Sequence, residues 1–232
     1  MRTLRQAEQR GHTEIGWLDS NHTFSFGGYR DPNHMNFRAL RVINDDRVIG
    51  GAGFGAHPHD NMEIISYVVE GGLEHKDSMG TGSVIRPGEV QLMSAGSGVV
   101  HSEFNASEDE QVRFLQIWLP PAKRGLQPTY QQRYFDPAER DGKLVELITP
   151  DGRDETLKIR RDTRILGGTF GAGQTQTVDI DAGRHVWIQV VKGRVTVDGQ
   201  QLREGDGLGI SEESSFTIAG VEGGELLVFD LD

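Results

Sequence analysis

Apolar positions along this chain alternate with polar ones or gather in short β-branched runs, and little of it shows the three-to-four-residue period of an amphipathic helix. Thr23-Phe24-Ser25-Phe26 alternates like a strand and meets Gly27-Gly28, and Asp31-Pro32-Asn33 reads as a turn. Phe37 to Ile43 reads as the next strand, closed by Asn44-Asp45-Asp46. Ile64 to Val69 ends at Glu70-Gly71-Gly72, and Arg86-Pro87-Gly88-Glu89 turns into Val90-Gln91-Leu92-Met93. Ala95 to Gly98 turns into Val99-Val100-His101, and the run Val112 to Leu119 stops at Pro120-Pro121. Short strands at such regular spacing predict an all-β sandwich or barrel.

Residues 120–143 are polar, proline-bearing and without apolar period. They are expected to link two modules, with one short helical turn where Asp136 caps and Pro137 takes the first helical position. The second module begins near Leu144 and echoes the first. Val190-Val191-Lys192-Gly193 aligns with Val68-Val69-Glu70-Gly71, and Glu204-Gly205-Asp206-Gly207 resembles the turn at Pro87-Gly88-Glu89. The expected organisation is residues 1–125, a linker 126–143, and a second domain 144–232 of the same fold.

Composition narrows the function. With no cysteine among 232 residues, disulfides and thiolate chemistry are excluded, and any metal is held by nitrogen and oxygen. A formal net charge of −11 disfavours nucleic acid as a direct partner. No apolar run approaches the roughly 20 residues that cross a bilayer, and the first twenty residues lack the apolar centre of a signal peptide, so a cytoplasmic protein without membrane contact is expected.

The candidate chemistry lies in two pairs. His57 and His59 stand at i and i+2 in a strand-like stretch, sharing a face about 6.6 Å apart. His101 and Glu103 repeat that spacing. Three imidazoles and one carboxylate point to a metal site, and imidazole with a single carboxylate suits iron, copper, nickel or zinc. Glu63 shares the face of His59 only if the strand runs without a bulge. Trp118, Phe114 and Gln116 alternate on one strand and either line an interior or fill a core. His75, between Glu74 and Lys76 in a turn-like run, is expected at the surface, and surface or hydrogen-bonded roles are expected of His12, His22 and His34. In the second module the first alignment puts Asp179 and Asp181 opposite His57 and His59, so metal is expected in the first module alone.

These residues resemble the cupin superfamily. Gly51, His57, His59 and Gly71 fit its first motif and Gly98, His101 and Asn105 its second, although the usual motif-one glutamate is here Ile64 and the motif-two proline is Gly96. HPH, MSAGSGVVHSE, the opening GWLDSNHTFSFGGY and the later PTYQQ more narrowly resemble the pirin family over nearly the whole chain. That resemblance implies a bicupin, with two antiparallel jelly-roll-like β-barrels facing each other. It implies one divalent transition metal, iron first, on His57, His59, His101 and Glu103. It further implies quercetin 2,3-dioxygenase activity on a small aromatic substrate with dioxygen; if that activity holds, Glu103 is expected to act also as general base, and the protein is expected to be a monomer. A metal-binding or redox-sensing regulator acting through a protein partner is the alternative, and a cupin isomerase or sugar-binding module a third.

Overall fold

The computed structural model describes residues 1–232: twenty-two β-strands and three short 3-10 turns, with no α-helix. No helix is long and apolar enough to cross a membrane. The chain divides into two units, residues 11–135 with 159–161, and residues 1–10 with 136–158 and 162–232. The first ten residues therefore leave the module in which the sequence places them, because β1 (Arg2–Arg5) pairs with a strand near the far end of the chain.

The unit of residues 11–135 carries β2 (Gly11–Glu14), β3 (Leu18–His22), β4 (Val42–Val48), β5 (Gly53–His59), β6 (Glu63–Glu70), β7 (Leu73–Asp77), β8 (Gly82–Ile85), β9 (Glu89–Ser94), β10 (Val99–Asn105), β11 (Val112–Leu119) and β12 (Thr129–Tyr134). A seven-stranded sheet in the order β12-β9-β6-β11-β4-β3-β2 lies over a four-stranded sheet in the order β5-β10-β7-β8. The central strands β6 and β11 are buried on both faces and read as near-continuous apolar runs, whereas β10 alternates inward and outward residue by residue. Leu18, Val48, Val68 and Phe114 of the large sheet close on Leu73 and Ile85 of the small one.

Several expectations change here, among them the strands expected at Thr23-Phe24-Ser25-Phe26 and from Phe37, which are bends and turns with isolated bridges, strand β4 beginning only at Val42. The sheets do not close into a barrel: β5 ends the small sheet, β2 ends the large one, and no ladder joins them. Asn44-Asp45-Asp46 is not a turn but the middle of β4, whose run Val42 to Val48 is buried almost throughout. Its charge is tolerated because Arg113 Nε and one terminal nitrogen donate to Asp45 at 2.9 and 3.0 Å. Residues 129–134, placed in the linker by their polarity, form the edge strand β12 along β9. The helical turn arrives as expected, as a 3-10 turn Pro137–Arg140 whose cap Asp136 accepts from the Ala138 amide.

The other unit joins β1 to β13 (Val145–Thr149), β14 (Leu157–Lys158), β15 (Thr163–Phe170), β16 (Thr175–Asp179), β17 (His185–Lys192), β18 (Arg194–Val197), β19 (Gln200–Arg203), β20 (Gly207–Ile210), β21 (Ser215–Gly220) and β22 (Gly224–Leu231). Its sheets run β1-β20-β17-β22-β15-β13-β14 and β16-β21-β18-β19. The repeat is thus topological: β17 sits between β20 and β22 as β6 sits between β9 and β11. Gly71 and Gly193 end the matching strands β6 and β17 with φ of 77° and 68°, a conformation that favours glycine at both turns. Trp187 is in the core of this unit, and His185 at its rim bonds Ser211 Oγ through Nδ1 at 2.8 Å.

Candidate metal centre

Period-two geometry brings the predicted histidines together. His57 and His59 project from the same side of β5, and His101 of β10 lies directly across the ladder from His57. The rings gather closely, His57 to His101 at 4.5 Å, His57 to His59 at 4.8 Å and His59 to His101 at 4.9 Å between centroids. One nitrogen from each lies within 4.8 Å of the others. A bulge between His101 and Glu103 shifts the register against β5. Glu103 consequently groups at that distance with His101 and His75, and not with His57 and His59.

The electrostatics suit a cation. Burial first, then the neighbouring His57, lowers His59 to about 4. Burial, then His57, His59 and His75, lowers His101 to about 3. Both rings are therefore neutral near pH 7, as metal ligation requires. His59 Nε2 and both ring nitrogens of His101 are buried without a hydrogen-bond partner, a costly state for polar atoms that a shared cation would relieve. Gly55 O accepts from His57 Nδ1 at 2.7 Å, which leaves Nε2 as the free lone pair. Three imidazoles with an adjacent carboxylate thus fit a divalent transition metal.

Glu103 is held from the opposite sheet. Ser66 Oγ donates to Oε1 at 3.1 Å and Gln116 Nε2 to Oε2 at 2.7 Å, while burial raises the carboxyl above its ordinary range against the lowering effect of those contacts. Gln116 and Ser66 belong to a row of polar side chains, His22, Asn44, Gln116, Ser66, Gln91 and Gln132, that are cross-strand neighbours through six strands of the large sheet. Gln116 therefore takes the interior-lining role left open for it.

His75 is a correction, because it is 0% exposed rather than at the surface. It alternates inward with Leu73 and Asp77 on β7, a middle strand of the small sheet, and lies across the ladder from Glu103. Its Nε2 meets Asp77 Oδ2 at 3.0 Å and its Nδ1 has no partner. Glu63 does not join either metal-ligating group; Ser94 Oγ and the Arg160 amide both donate to its Oε2, at 2.8 and 3.2 Å. Asn105 of the second motif is structural, donating to the Val48 and Glu110 carbonyls at 3.0 and 2.7 Å.

A cavity of about 510 Å³ opens beside the histidines, between the unjoined edges of the two sheets. Its aromatic walls are Trp17 with Phe54, edge to face at 5.0 Å, and Phe26 with Trp118, edge to face at 5.4 Å. Trp118 also lies 4.9 Å from the His59 ring. The polar wall holds His22, Asn44 and Asp46. Asn44 and Asp46 went unseen in the sequence because their acidic, amide-rich run has the composition of a turn. The available signal was Asn44 and Asp46 at i and i+2 between apolar Ile43 and Val48. His22 is hydrogen-bonded as expected, to Asn44 Oδ1 at 2.8 Å and Thr13 Oγ1 at 2.9 Å, but it is buried in this wall.

Residues 3–119 match the family model described as Pirin, and residues 146–231 match that of the quercetinase C-terminal cupin domain. The chain is 48% identical over 228 residues to a quercetin 2,3-dioxygenase of Escherichia coli K12, covering 98% of this chain and 97% of that protein. It is 42% identical over 224 residues to a pirin-like protein of Caulobacter vibrioides, with 96% of each covered. The crystal structure of the bacterial pirin YhhW from Escherichia coli in complex with nickel(II) matches at a TM-score of 0.95 and 46% identity, over 100% of this chain and 99% of that one. On matches that span both halves, the chain belongs to the pirin family.

Proposed function

We propose that this protein is a metal-dependent dioxygenase that opens quercetin-like flavonols with dioxygen and releases carbon monoxide. The observation that carries the reading is the aromatic-walled cavity meeting the histidine cluster, in which burial keeps His59 and His101 neutral and leaves His59 Nε2 and both His101 ring nitrogens without a hydrogen-bond partner. A relative named quercetin 2,3-dioxygenase and a pirin seen with nickel(II) support it. His57, His59, His101 and Glu103 would hold one divalent ion, and of the candidates iron, copper, nickel and zinc, nickel gains support from the relative seen with nickel(II). When bound, that ion supplies Lewis acidity that lowers the pKa of a substrate hydroxyl.

The chain's own residues do the rest. Trp17, Phe54, Phe26 and Trp118 hold a planar aromatic and exclude water around it. Glu103, fixed by Ser66 and Gln116, accepts the proton of the substrate's acidic hydroxyl, and its burial strengthens it as a base. The electron-rich ring then reacts with dioxygen, both oxygen atoms enter the opened product, and one ring carbon leaves as carbon monoxide.

Glu103→Gln tests the assignment through oxygen uptake with quercetin. The expected result is loss of turnover even where metal is retained, and His57→Ala loses metal and turnover together. Retained turnover in Glu103→Gln removes the base. Full metal without uptake in the unaltered protein instead favours a metal-binding regulator.

A further inference from the structure

Asp46 is the buried carboxylate of this cavity that neither metal-ligating group nor ion pair uses. It is 3% exposed, lines the cavity, and its Oδ1 has no hydrogen-bond partner. Its neighbour Asp45, on the other face of β4, is by contrast fully engaged by Arg113. An aspartate kept for structure is satisfied in that way, whereas a buried oxygen facing a cavity without a partner is costly until a ligand supplies one.

Register locates it relative to the centre. Ser20, Asp46 and Phe114 are cross-strand neighbours and form one level of the large sheet. The next level holds Asn44 and Gln116, whose amide reaches Glu103, and the level after that holds Trp118, against His59. Asp46 is thus displaced about 7 Å along the strands from the level of Glu103, on the side away from His59. That end is apolar: Phe114 and Val48 form one cluster with Trp17 and Phe54. A hydrogen bond made there meets little competition from water.

We infer that Asp46 is the specificity residue of the cavity, hydrogen-bonding a hydroxyl on a ring of the aromatic ligand remote from the imidazole cluster. The inference rests on the flavonol reading above. Burial, with Asp45, Glu103 and Asp19 nearby and against the hydrogen bond from Ser20, pushes the Asp46 carboxyl up to about 7. Near neutrality it therefore both accepts and donates, matching a phenolic hydroxyl in either sense.

The test compares the binding of quercetin with that of 3-hydroxyflavone, which lacks the hydroxyls of the outer rings. Nickel-loaded protein is titrated without oxygen and read by tryptophan quenching and calorimetry. The unaltered protein is expected to favour quercetin by about tenfold, the value of one well-placed hydrogen bond. In Asp46→Leu that ratio falls towards one. Asp46→Ala removes the same oxygens without adding bulk beside Phe114 and gives the same collapse if the leucine variant does not fold. Asp46→Asn keeps the shape and a carbonyl oxygen and holds the ratio, and 3-hydroxyflavone binds all three variants as it binds the unaltered protein, whereas a merely structural role would weaken both flavonols together. An unchanged ratio in the Leu and Ala variants, or a ratio of one in the unaltered protein, overturns the assignment while both flavonols still bind. If neither flavonol binds the unaltered protein, the flavonol reading itself fails and the Asp46 anchor falls with it.

Discussion

Replacing Asp46 with asparagine changes one buried proton-binding group and almost nothing in shape. The native carboxyl is pushed from its ordinary 3.8 up to about 7 by burial and by Asp45, Glu103 and Asp19. Between those values the folded state keeps a proton that the unfolded chain has released. Stability therefore falls as pH rises through this window, and levels off above about pH 7. A rise from 3.8 to about 7, at about 1.36 kcal/mol per pH unit, corresponds to about 4 kcal/mol. Asparagine does not titrate and escapes that cost. Urea unfolding of the metal-free protein and of Asp46→Asn, from pH 4 to 8.5, reads the difference directly, and groups common to both proteins largely cancel. The two are expected to be close at pH 4, with the variant ahead by up to about 4 kcal/mol at pH 8. A difference that does not change with pH would refute the reasoning, since only a titrating Asp46 generates the slope.

Other outcomes follow from the same structure. Arg113→Met removes the two-pronged partner of the buried Asp45 carboxylate, leaving Arg47 at 3.7 Å, and is expected to cost about 3 kcal/mol in denaturant unfolding, with partial recovery in Arg113→Met/Asp45→Asn. Gly53→Ala would place a Cβ 2.4 Å from the Glu103 carbonyl oxygen and 2.5 Å from Phe104 Cα, forcing β5 off β10. A loss of about 1–3 kcal/mol by thermal unfolding, and reduced metal per protein, are the expected results. His59 and His101 sit at about 4 and about 3, so protons compete with metal at these two rings only in acid. Metal content after dialysis is expected to hold from pH 8 to 5 and to fall below about pH 4; release already at pH 6 contradicts the assignment of these rings as ligands.

How far the sequence carried depended on whether a residue's neighbours were local. Strands β6, β9, β10 and β11 were readable because their apolar runs end at glycine or proline turns, and the repeat foretold the matching order of strands in both units. The His57–His59 pair was readable because period-two spacing sets which face they share, and the same spacing at His101 and Glu103 marked the second strand, but that His101 lies opposite His57 is set by the ladder between β5 and β10. The middle of β4 was not, because Asn44-Asp45-Asp46 has turn chemistry and only a distant Arg113 and a cavity make it a strand. His75 was lost among Glu74 and Lys76, although inward Leu73, His75 and Asp77 keep a clean alternation. Pairing of β1 with β20 spans some two hundred residues, and nothing in Arg2–Arg5 names its partner. β12 lies on a sheet edge, half exposed on both faces, and so carries no apolar period to betray it.

The central claim is that the imidazole cluster and its aromatic cavity form one oxygen-using site. Its most direct test is simultaneous measurement of oxygen uptake and carbon monoxide release from quercetin, after reconstitution in turn with nickel, iron, copper and zinc. The expected result is equimolar oxygen consumed and carbon monoxide released with at least one ion, both abolished in His57→Ala. Stoichiometric metal with neither gas exchanged under any of the four ions would contradict it.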